Sequence, residues 1–282
     1  MSTPTAMPAE PPLSVLGRAT LLLRLFRHDR PVVRLTDLVQ ESGLPKTTVH
    51  RLVTELCSHG VLDRVENDEA HEASVHGGGD SQGAAPGIRG GGGGGYRLGG
   101  WLFELGEMVP THRTLGDAAQ PIMEDLREAT HQRIHLAVLD GVEVVYVNIL
   151  GARTVDLASR IGGRFPAHAS GVGKAILAYS PASVVRARID AGLPRLTPRT
   201  ISTPGGLTRD LQTVRTVGMA VDKEEAQVGV SCVAAPVFGS DRKVRAALSI
   251  TGMTRSIDPA VLGPAVRTAA FTLSRTLRTS GL

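Results

Sequence analysis

A short cluster of cationic and hydroxyl side chains between Lys46 and Arg51 could bind nucleic acid. Arginine and lysine pair with guanine edges and phosphates, and threonine hydroxyls serve bases or phosphates. The apolar residues Val49, Leu52 and Val53 follow a helical period, so on a helix they would face the core and leave the cationic side chains outward. This pattern is typical of the N-terminal end of a helix that reads the major groove. The candidate DNA-contacting residues are Lys46, Thr47, Thr48, His50, Arg51 and, further along the chain, Arg64.

A second group of residues could line a pocket for a small polar molecule. A helix that starts near Gly171 would offer the backbone N–H groups of Ser170, Gly171 and Val172, which suit a carboxylate. Polar side chains on three later strand segments could form the opposite wall, where Ser249 and Thr251 would point to the same face of one strand. The candidate ligand-binding residues are Ser170, Gly171, Val172, Asp222, Cys232, Ser249 and Thr251.

Other chemistries fit these residues less well. A phosphate-binding loop would need a glycine where His168 stands and a serine or threonine where Ala175 stands. An enzyme with Cys232 as nucleophile and His168 as base would need an orienting carboxylate that no motif supplies, so we predict no catalytic residue and no enzyme. The alternative function that stays open is a thiol redox sensor acting through Cys232, which would need a lowered pKa and an exposed sulfur. The two cysteines, Cys57 and Cys232, fit no metal-ligand spacing, and we predict no metal and no cofactor.

Three short helices between Leu13 and about Leu62 would position the cationic cluster, because apolar residues recur there in three helical stripes. Gly43 predicts the end of the second helix, since glycine adopts a left-handed backbone at little cost. Pro45 suits the first position of the third helix, where a missing N–H has no consequence. Helix, glycine turn and helix together predict a helix-turn-helix.

A glycine-rich segment then interrupts the pattern. Between Gly77 and Gly95, eleven of nineteen residues are glycine. Such a segment cannot bury enough apolar surface to offset its ordering entropy, so we predict a flexible loop. The residues from Trp101 to Val109 resume an amphipathic pattern, which predicts a connecting helix.

The remaining sequence predicts an α+β domain, because helical periods alternate with short β-rich runs. The dipeptide Asp140-Gly141 between two such runs indicates a hairpin. The predicted strands are 134–139, 142–150, 154–161, 219–222, 229–238 and 244–251, and the predicted helices are 115–130, 171–179, 181–191, 207–217 and 259–277.

The helix-turn-helix segment resembles the DNA-binding domain of the IclR family (isocitrate lyase regulator-like proteins). The residues that carry this resemblance are Leu35-Thr36-Asp37-Leu38 and Gly43-Leu44-Pro45-Lys46-Thr47-Thr48-Val49-His50-Arg51-Leu52. The resemblance implies a winged helix-turn-helix whose wing strands are residues 61–65 and 96–99. The glycine-rich stretch enlarges the turn between these two strands, which costs little in loop-closure entropy.

Four later segments are similar to the C-terminal domain of the same family, which implies a GAF-like α/β effector-binding domain. These segments are Pro166 to Ala178, Asp222 to Glu225, Gly229 to Val237 and Ala247 to Gly252. Family members that bind small organic acids use positions that match Gly171, Val172, Asp222, Cys232, Ser249 and Thr251 of this chain.

The resemblance also implies an assembly and a function. The family is dimeric through its DNA-binding domains and often tetrameric, so paired helices would read a roughly palindromic operator. We therefore expect a ligand-responsive transcription regulator, with repression favoured over activation, that senses a small carboxylic or aromatic acid.

Composition and domain boundaries complete the prediction. The chain has 282 residues, a net charge of +4 and a mean hydropathy of +0.02, values that permit a nucleic-acid partner without requiring one. The N-terminus lacks a signal-peptide pattern, and no stretch approaches the roughly 20 apolar residues that span a bilayer. We expect a cytoplasmic protein whose partners are double-stranded operator DNA, a small-molecule effector and copies of itself, with no membrane. The predicted domains are a disordered tail at 1–12, a winged helix-turn-helix at 13–99 with the glycine-rich insert at about 66–95, a linker helix at 100–113 and an effector-binding domain at 114–282.

Overall fold

The computed structural model describes residues 14–27, 30–65, 94–151 and 159–279. The predicted N-terminal tail and most of the glycine-rich insert lie outside these ranges. So do residues 154–158 of one predicted strand, and its last three residues, which are described, form no strand. The chain divides into two compact units between Val109 and Pro110.

The N-terminal unit combines short helices with a three-stranded sheet, as a winged helix-turn-helix requires. Its core contains buried aliphatic side chains from all three helices of the motif, such as Leu22, Leu38 and Val49. Its elements are α1 (Val15–Leu23), β1 (Val33–Arg34), α2 (Leu35–Ser42), α3 (Lys46–Ser58), β2 (Leu62–Val65), β3 (Gly95–Leu98) and α4 (Gly100–Glu107).

Local sequence signals set the turn between α2 and α3. Gly43 follows α2 with a φ of +66° and donates its N–H to the Val39 carbonyl at 3.2 Å, which confirms that this glycine ends the helix. Pro45 precedes α3 rather than occupying its first position, and its carbonyl accepts the N–H of Val49 at 3.0 Å. The prediction for Pro45 was therefore wrong by one position, because its extended ψ of 139° places it in the cap.

The wing strands pair as predicted. β2 and β3 are antiparallel, with Leu62 opposite Leu98 and Val65 opposite Gly95. The sequence did not predict β1, a two-residue strand that pairs with the other side of β3 and completes the sheet order β1-β3-β2.

The predicted linker differs from the structure. Instead of one continuous helix over 100–113, α4 ends at Glu107 and a new helix begins at Pro110. A proline disfavours helical backbone in the residue before it, here Val109, which accounts for the interruption. The second helix consequently starts five residues earlier than the predicted 115.

The C-terminal unit is built on a six-stranded antiparallel sheet in the order β6-β5-β4-β9-β8-β7. The predicted hairpin is confirmed: Asp140 pairs with Glu143 across a two-residue turn in which Gly141 has a φ of +63°. The short strand β6 was not predicted. The elements of this unit are α5 (Pro110–Thr130), β4 (Arg133–Asp140), β5 (Glu143–Leu150), β6 (Arg164–Pro166), α6 (Gly171–Ala178), α7 (Ala182–Asp190), α8 (Pro204–Val217), β7 (Ala220–Lys223), β8 (Val230–Phe238), β9 (Val244–Met253) and α9 (Pro259–Thr279).

The sheet has a helical layer on each face. The long helices α5 and α9 pack on one face against side chains such as Leu136 and Leu248. Helices α6 and α8 pack on the other face against small residues such as Ala137 and Ala234. Because successive strand residues point to opposite faces, polar residues between the large aliphatic ones lie on the α6 side. The α+β class predicted from the sequence is confirmed, and no helix of the described residues is long and apolar enough to cross a membrane.

Candidate functional site

The predicted DNA-contacting residues lie at the start of α3 and on one wing strand. Lys46, Thr47, His50 and Arg51 are exposed, and Thr48 is half-buried. Buried side chains such as Val49, Leu52 and Val53 occupy the opposite side of the helix. The N-terminal end of α3 therefore presents its cations and hydroxyls to solvent.

The side chains of Lys46, His50 and Arg51 make no hydrogen bond or ion pair with any described residue, so they are available to a partner. One other cation of this unit is already engaged. Arg30 donates to both carboxylate oxygens of Glu41, at 2.6 and 3.0 Å.

Arg64 lies apart from this helical cluster, on strand β2, where it is exposed. Its guanidinium carbon lies 5.9 Å from the centroid of the Tyr96 ring on β3, within the range of a cation–π interaction. The structure thus gives Arg64 an aromatic neighbour on the wing sheet.

The seven predicted ligand-binding residues all line one cavity in the C-terminal unit, with a volume of about 80 Å³. They come from the start of α6 and from three neighbouring strands. The lining also includes residues that the sequence did not single out: His135, Tyr146, Ser159, Phe165, Ala226, Gln227 and Val230.

Strand register brings the polar wall together. Asp222 on β7 lies opposite Cys232 on β8, which lies opposite Thr251 on β9, so the three form a row across the sheet. Ser249 is two residues from Thr251 on the same face, and their hydroxyl oxygens are 3.3 Å apart. The same-face placement inferred from their spacing is confirmed.

The start of α6 forms the facing wall and approaches the sheet closely. The Ser170 hydroxyl oxygen accepts the N–H of Gly173 at 3.1 Å and caps the helix. A Cβ on Gly171 would lie 2.4 Å from the Cys232 sulfur, and one on Gly173 would lie 2.1 Å from the Ala167 carbonyl oxygen. Close packing therefore explains why glycine occupies both positions. No phosphate ligand is needed to account for them, which agrees with the sequence-based rejection of a phosphate-binding loop.

His135 is a cavity residue that the sequence analysis missed. It is 3% exposed, and its Nδ1 lies 3.1 Å from the Thr251 hydroxyl while its Nε2 lies 2.9 Å from the Ser159 hydroxyl. Burial, helped by the charge of Arg133, lowers the pKa of His135 to about 3, so the ring is neutral and offers one donor and one acceptor. In the sequence, the position of His135 between the apolar residues Ile134 and Leu136 indicated that its side chain lies on the opposite face of a strand. This pattern did not show that the strand pairs with β9, which carries Ser249 and Thr251.

Burial also changes the acidity of the two ionisable residues in the row. It raises the pKa of Asp222 to about 7, against the effect of the Glu225 N–H, which donates to Asp222 Oδ1 at 2.7 Å. It raises the pKa of the Cys232 thiol, and Asp222 raises it further. Cys232 is only 6% exposed, so the geometry opposes the redox-sensor alternative, which needs an exposed sulfur with a lowered pKa.

Lys174 on α6 forms a buried ion-pair network next to the cavity. Its fully buried Nζ lies 2.6 Å from Glu225 Oε1, 3.2 Å from Asp210 Oδ2 and 2.8 Å from the Val221 carbonyl oxygen. Burial opposes the lysine charge, but Glu225 and Asp210 outweigh it and raise the pKa of Lys174. The network ties α6 to α8 and to the segment after β7, whose residues Ala226 and Gln227 line the cavity.

His168 has a structural role. It is fully buried outside the cavity lining, and its Nε2 lies 3.1 Å from the Pro194 carbonyl oxygen. The structure therefore does not bring His168 into the group that surrounds Cys232, which removes the base from the enzyme alternative. Among the described residues, no cluster of His, Cys, Asp or Glu could hold a metal ion.

Comparisons with known proteins match both units. The profile of the IclR helix-turn-helix domain matches residues 15–66, and the profile described as bacterial transcriptional regulator IclR C-terminal matches residues 109–275. The transcriptional regulator XynR of Escherichia coli K12 is 32% identical over 272 residues, which cover 95% of this chain and 98% of the relative. The transcriptional repressor IclR of the same organism is 30% identical over 249 residues, which cover 87% and 82% of the two chains.

A solved structure also resembles the whole fold. It is an IclR homolog from Microbacterium hydrocarbonoxydans complexed with 4-hydroxybenzoate. The TM-score is 0.77 at 26% sequence identity, and the match covers 94% of this chain and all of the other.

Proposed function

This chain belongs to the IclR family of transcriptional regulators, and we propose that it is a repressor that binds a roughly palindromic operator and responds to a small organic acid. Proteins of this family are DNA-binding regulators and not enzymes, as the sequence predicted. Repression is proposed because relatives such as IclR of Escherichia coli are named repressors. A DNA-binding regulator must reach the chromosome, so we propose that this chain is located in the cytoplasm.

The observation that carries the DNA-binding proposal is the free cationic end of α3. Lys46 and Arg51 are exposed and make no ion pair with a described residue, on the helix that enters the major groove in a helix-turn-helix. Arg51 suits a guanine edge, whereas Lys46, Thr47, Thr48 and His50 suit phosphates or bases. Arg64 is assigned to the DNA backbone because it projects from the wing sheet.

The effector proposal is supported by the cavity that the seven predicted residues share. Its hydroxyl groups, the neutral His135 and the start of α6 offer converging hydrogen bonds, as a site for a small polar ligand requires. Its volume of about 80 Å³ is well below the roughly 150 Å³ of an apolar cavity that holds benzene. A compact aliphatic acid therefore fits directly, while an aromatic acid, such as the 4-hydroxybenzoate bound by the Microbacterium protein, requires the cavity to expand.

We further propose that the chain works as a dimer or tetramer. Two elements of the N-terminal unit expose large apolar side chains: Leu16 on α1 is 77% exposed and Phe103 on α4 is 71% exposed. Apolar exposure of this kind marks protein interfaces. A symmetric dimer would present two copies of α3 to two half-sites of an operator.

Substitution of Arg51 tests the recognition helix. A duplex selected from a random pool with the wild-type chain serves as the operator, and fluorescence anisotropy gives the Kd. Arg51→Ala is expected to raise the Kd by about 5- to 150-fold, the loss of 1–3 kcal/mol typical of an arginine on a guanine edge. The control Arg275→Ala removes an exposed arginine from α9 and is expected to bind as the wild type does. A folded Arg51→Ala variant with unchanged affinity at physiological salt would contradict the assignment.

A further inference from the structure

A second concave region lies on the C-terminal unit, away from the small cavity. It has a volume of about 850 Å³ and runs between the end of β8, the turn into β9 and helix α9. None of its lining residues lines the small cavity. We call it the arginine groove and define it by Arg242, Arg267, Arg278, Tyr179, Phe238 and Phe271.

Among the described residues, the groove carries positive charge without an acidic partner. Arg242, Arg267 and Arg278 form no hydrogen bond or ion pair through their guanidinium groups with any described residue, and no described lining residue is acidic. The nearby Asp241 is engaged elsewhere, since its Oδ2 lies 3.2 Å from Arg245 Nη2 and 3.5 Å from Lys243 Nζ. Guanidinium groups without a described partner around one groove favour an anionic ligand, because charge-assisted hydrogen bonds are stronger than those between neutral groups.

The same groove offers aromatic surface. The rings of Tyr179 and Phe238 pack edge to face with their centroids 5.2 Å apart. Phe271 on α9 is 59% exposed although it is a large apolar side chain. Aromatic faces beside cations suit a ligand that has a flat apolar body as well as a negative charge.

Two contacts hold part of the groove wall in place. Phe238 donates its N–H to the Ser274 hydroxyl oxygen at 2.9 Å, which ties the end of β8 to α9. The Arg267 guanidinium lies against Gly218, where a Cβ would stand 3.5 Å from its Nε. A pre-formed site loses less entropy on binding than one that must be ordered by the ligand.

We propose that the arginine groove is a second ligand site, and that it binds an organic anion with an aromatic body. Its volume lies within the roughly 300–1,000 Å³ of small-molecule sites. Its cationic wall distinguishes it from the small cavity, whose described lining contains no lysine or arginine. The two sites thus differ in ligand chemistry: the small cavity takes a compact polar ligand and the groove takes a larger aromatic anion.

The aromatic sulfonate 8-anilinonaphthalene-1-sulfonate provides the probe, and its fluorescence is titrated with the full-length chain. Arg267→Gln removes one cation and Phe271→Ala removes the exposed ring. Each is expected to raise the Kd of the groove site about tenfold, as the loss of one charge-assisted or aromatic contact predicts. Higher salt is expected to weaken binding to the wild type. The control Arg209→Gln changes an exposed arginine of α8 that does not line the groove, and it is expected to bind as the wild type does.

Two results would overturn the proposal. One is an unchanged Kd in Arg267→Gln, in Phe271→Ala and in a third variant, Arg242→Gln. Arg267 and Phe271 both lie on α9, whereas Arg242 lies in the turn between β8 and β9, so the third variant tests the groove without altering that helix. The other is a change of oligomeric state in the groove variants by sedimentation velocity, which would make the groove an interface between copies of this chain. The altered side chains are exposed, and circular dichroism checks that each variant is folded.

Discussion

Asp222 is the cavity residue whose charge changes near neutral pH. Burial raises its pKa to about 7. Its pKa is lowered by the Glu225 and Ala226 N–H groups and by the buried Lys174 of α6 and is raised by the Glu225 carboxylate, while Cys232 lies opposite it on β8. The described lining holds no arginine or lysine, so a carboxylate bound in this small cavity would lie near Asp222 and would be repelled by its charged form.

Acid binding to the cavity should therefore weaken as the pH rises. Between about pH 6 and pH 8 Asp222 loses its proton, and two carboxylates would then share one small site, so the affinity should fall by up to about tenfold per pH unit above the pKa. Asp222→Asn should remove this dependence, since the amide stays neutral and keeps an oxygen for the Glu225 N–H. The measurement is calorimetric titration of a small aliphatic acid found by a thermal-shift screen against the wild type.

The exposed Asp190 of α7 supplies the control for that titration. Asp190→Asn should retain the wild-type pH profile. An Asp222→Asn variant with the same profile as the wild type would show that another group controls the binding.

At the scale of elements, the cavity depends on how α6 and the segment after β7 are held together. Lys174 is fully buried and bridges Glu225 and Asp210. Through Glu225 it fixes residues that line the cavity, and through its own helix it fixes Gly171 and Val172. The three residues of this network do not line the cavity themselves, so we expect them to support the site and not to contact the ligand.

Lys174→Met should destabilise the C-terminal unit strongly. Methionine replaces the lysine at similar volume but leaves the charge of Glu225 buried and uncompensated, and the free energy of unfolding should fall by about 3–5 kcal/mol. Urea denaturation followed by circular dichroism measures the change. The double variant Lys174→Met/Glu225→Gln should be less destabilised than Lys174→Met, because it removes the orphaned charge.

The exposed Lys243, of which 79% of the side chain is accessible, provides the reference substitution. Lys243→Met should change the free energy of unfolding by less than about 0.5 kcal/mol. A Lys174→Met variant as stable as this reference would mean that the ion pairs contribute nothing to the fold.

At the scale of the whole molecule, the proposed function depends on two units with separate tasks. The N-terminal unit carries the exposed cations of α3 and the exposed apolar side chains Leu16 and Phe103. The C-terminal unit carries the cavity and the arginine groove. An effector can change DNA binding only as far as it binds two states of the assembly with different affinity.

The proposed dimer can be tested through the apolar side chains of the N-terminal unit. Phe103→Glu places a charge on that surface and should shift the chain toward the monomer in sedimentation velocity. DNA affinity should fall with it, because two linked copies of α3 bind two half-sites together. Val261→Glu, at an equally exposed apolar position of the C-terminal unit (68%), should leave the dimer intact. A Phe103→Glu variant that remains dimeric would locate the interface elsewhere.

Sequence reasoning located most elements but lost accuracy where distant parts of the chain interact. It placed the hairpin at Asp140 and the helix end at Gly43 correctly, since both depend on neighbouring residues. It missed the strand Arg164–Pro166, which is too short for a periodic pattern and pairs with β5. It also missed the interruption before Pro110, although a proline after an amphipathic run was a usable signal.

The sequence by itself determined the helix-turn-helix and the identity of the seven residues proposed to bind the ligand. A helical period, a glycine with left-handed backbone and short family motifs each involve only a few neighbouring residues. They can therefore be recognised without knowing which distant segments pack against them. Only the tertiary structure decided that His135 joins Ser249, 114 residues away, and that Arg242 of the β8–β9 turn meets Arg267 and Arg278 of α9 around one groove. Those arrangements depend on strand register and on the packing of α9 against the sheet, which are set by the burial of the whole apolar face and not by any local pattern.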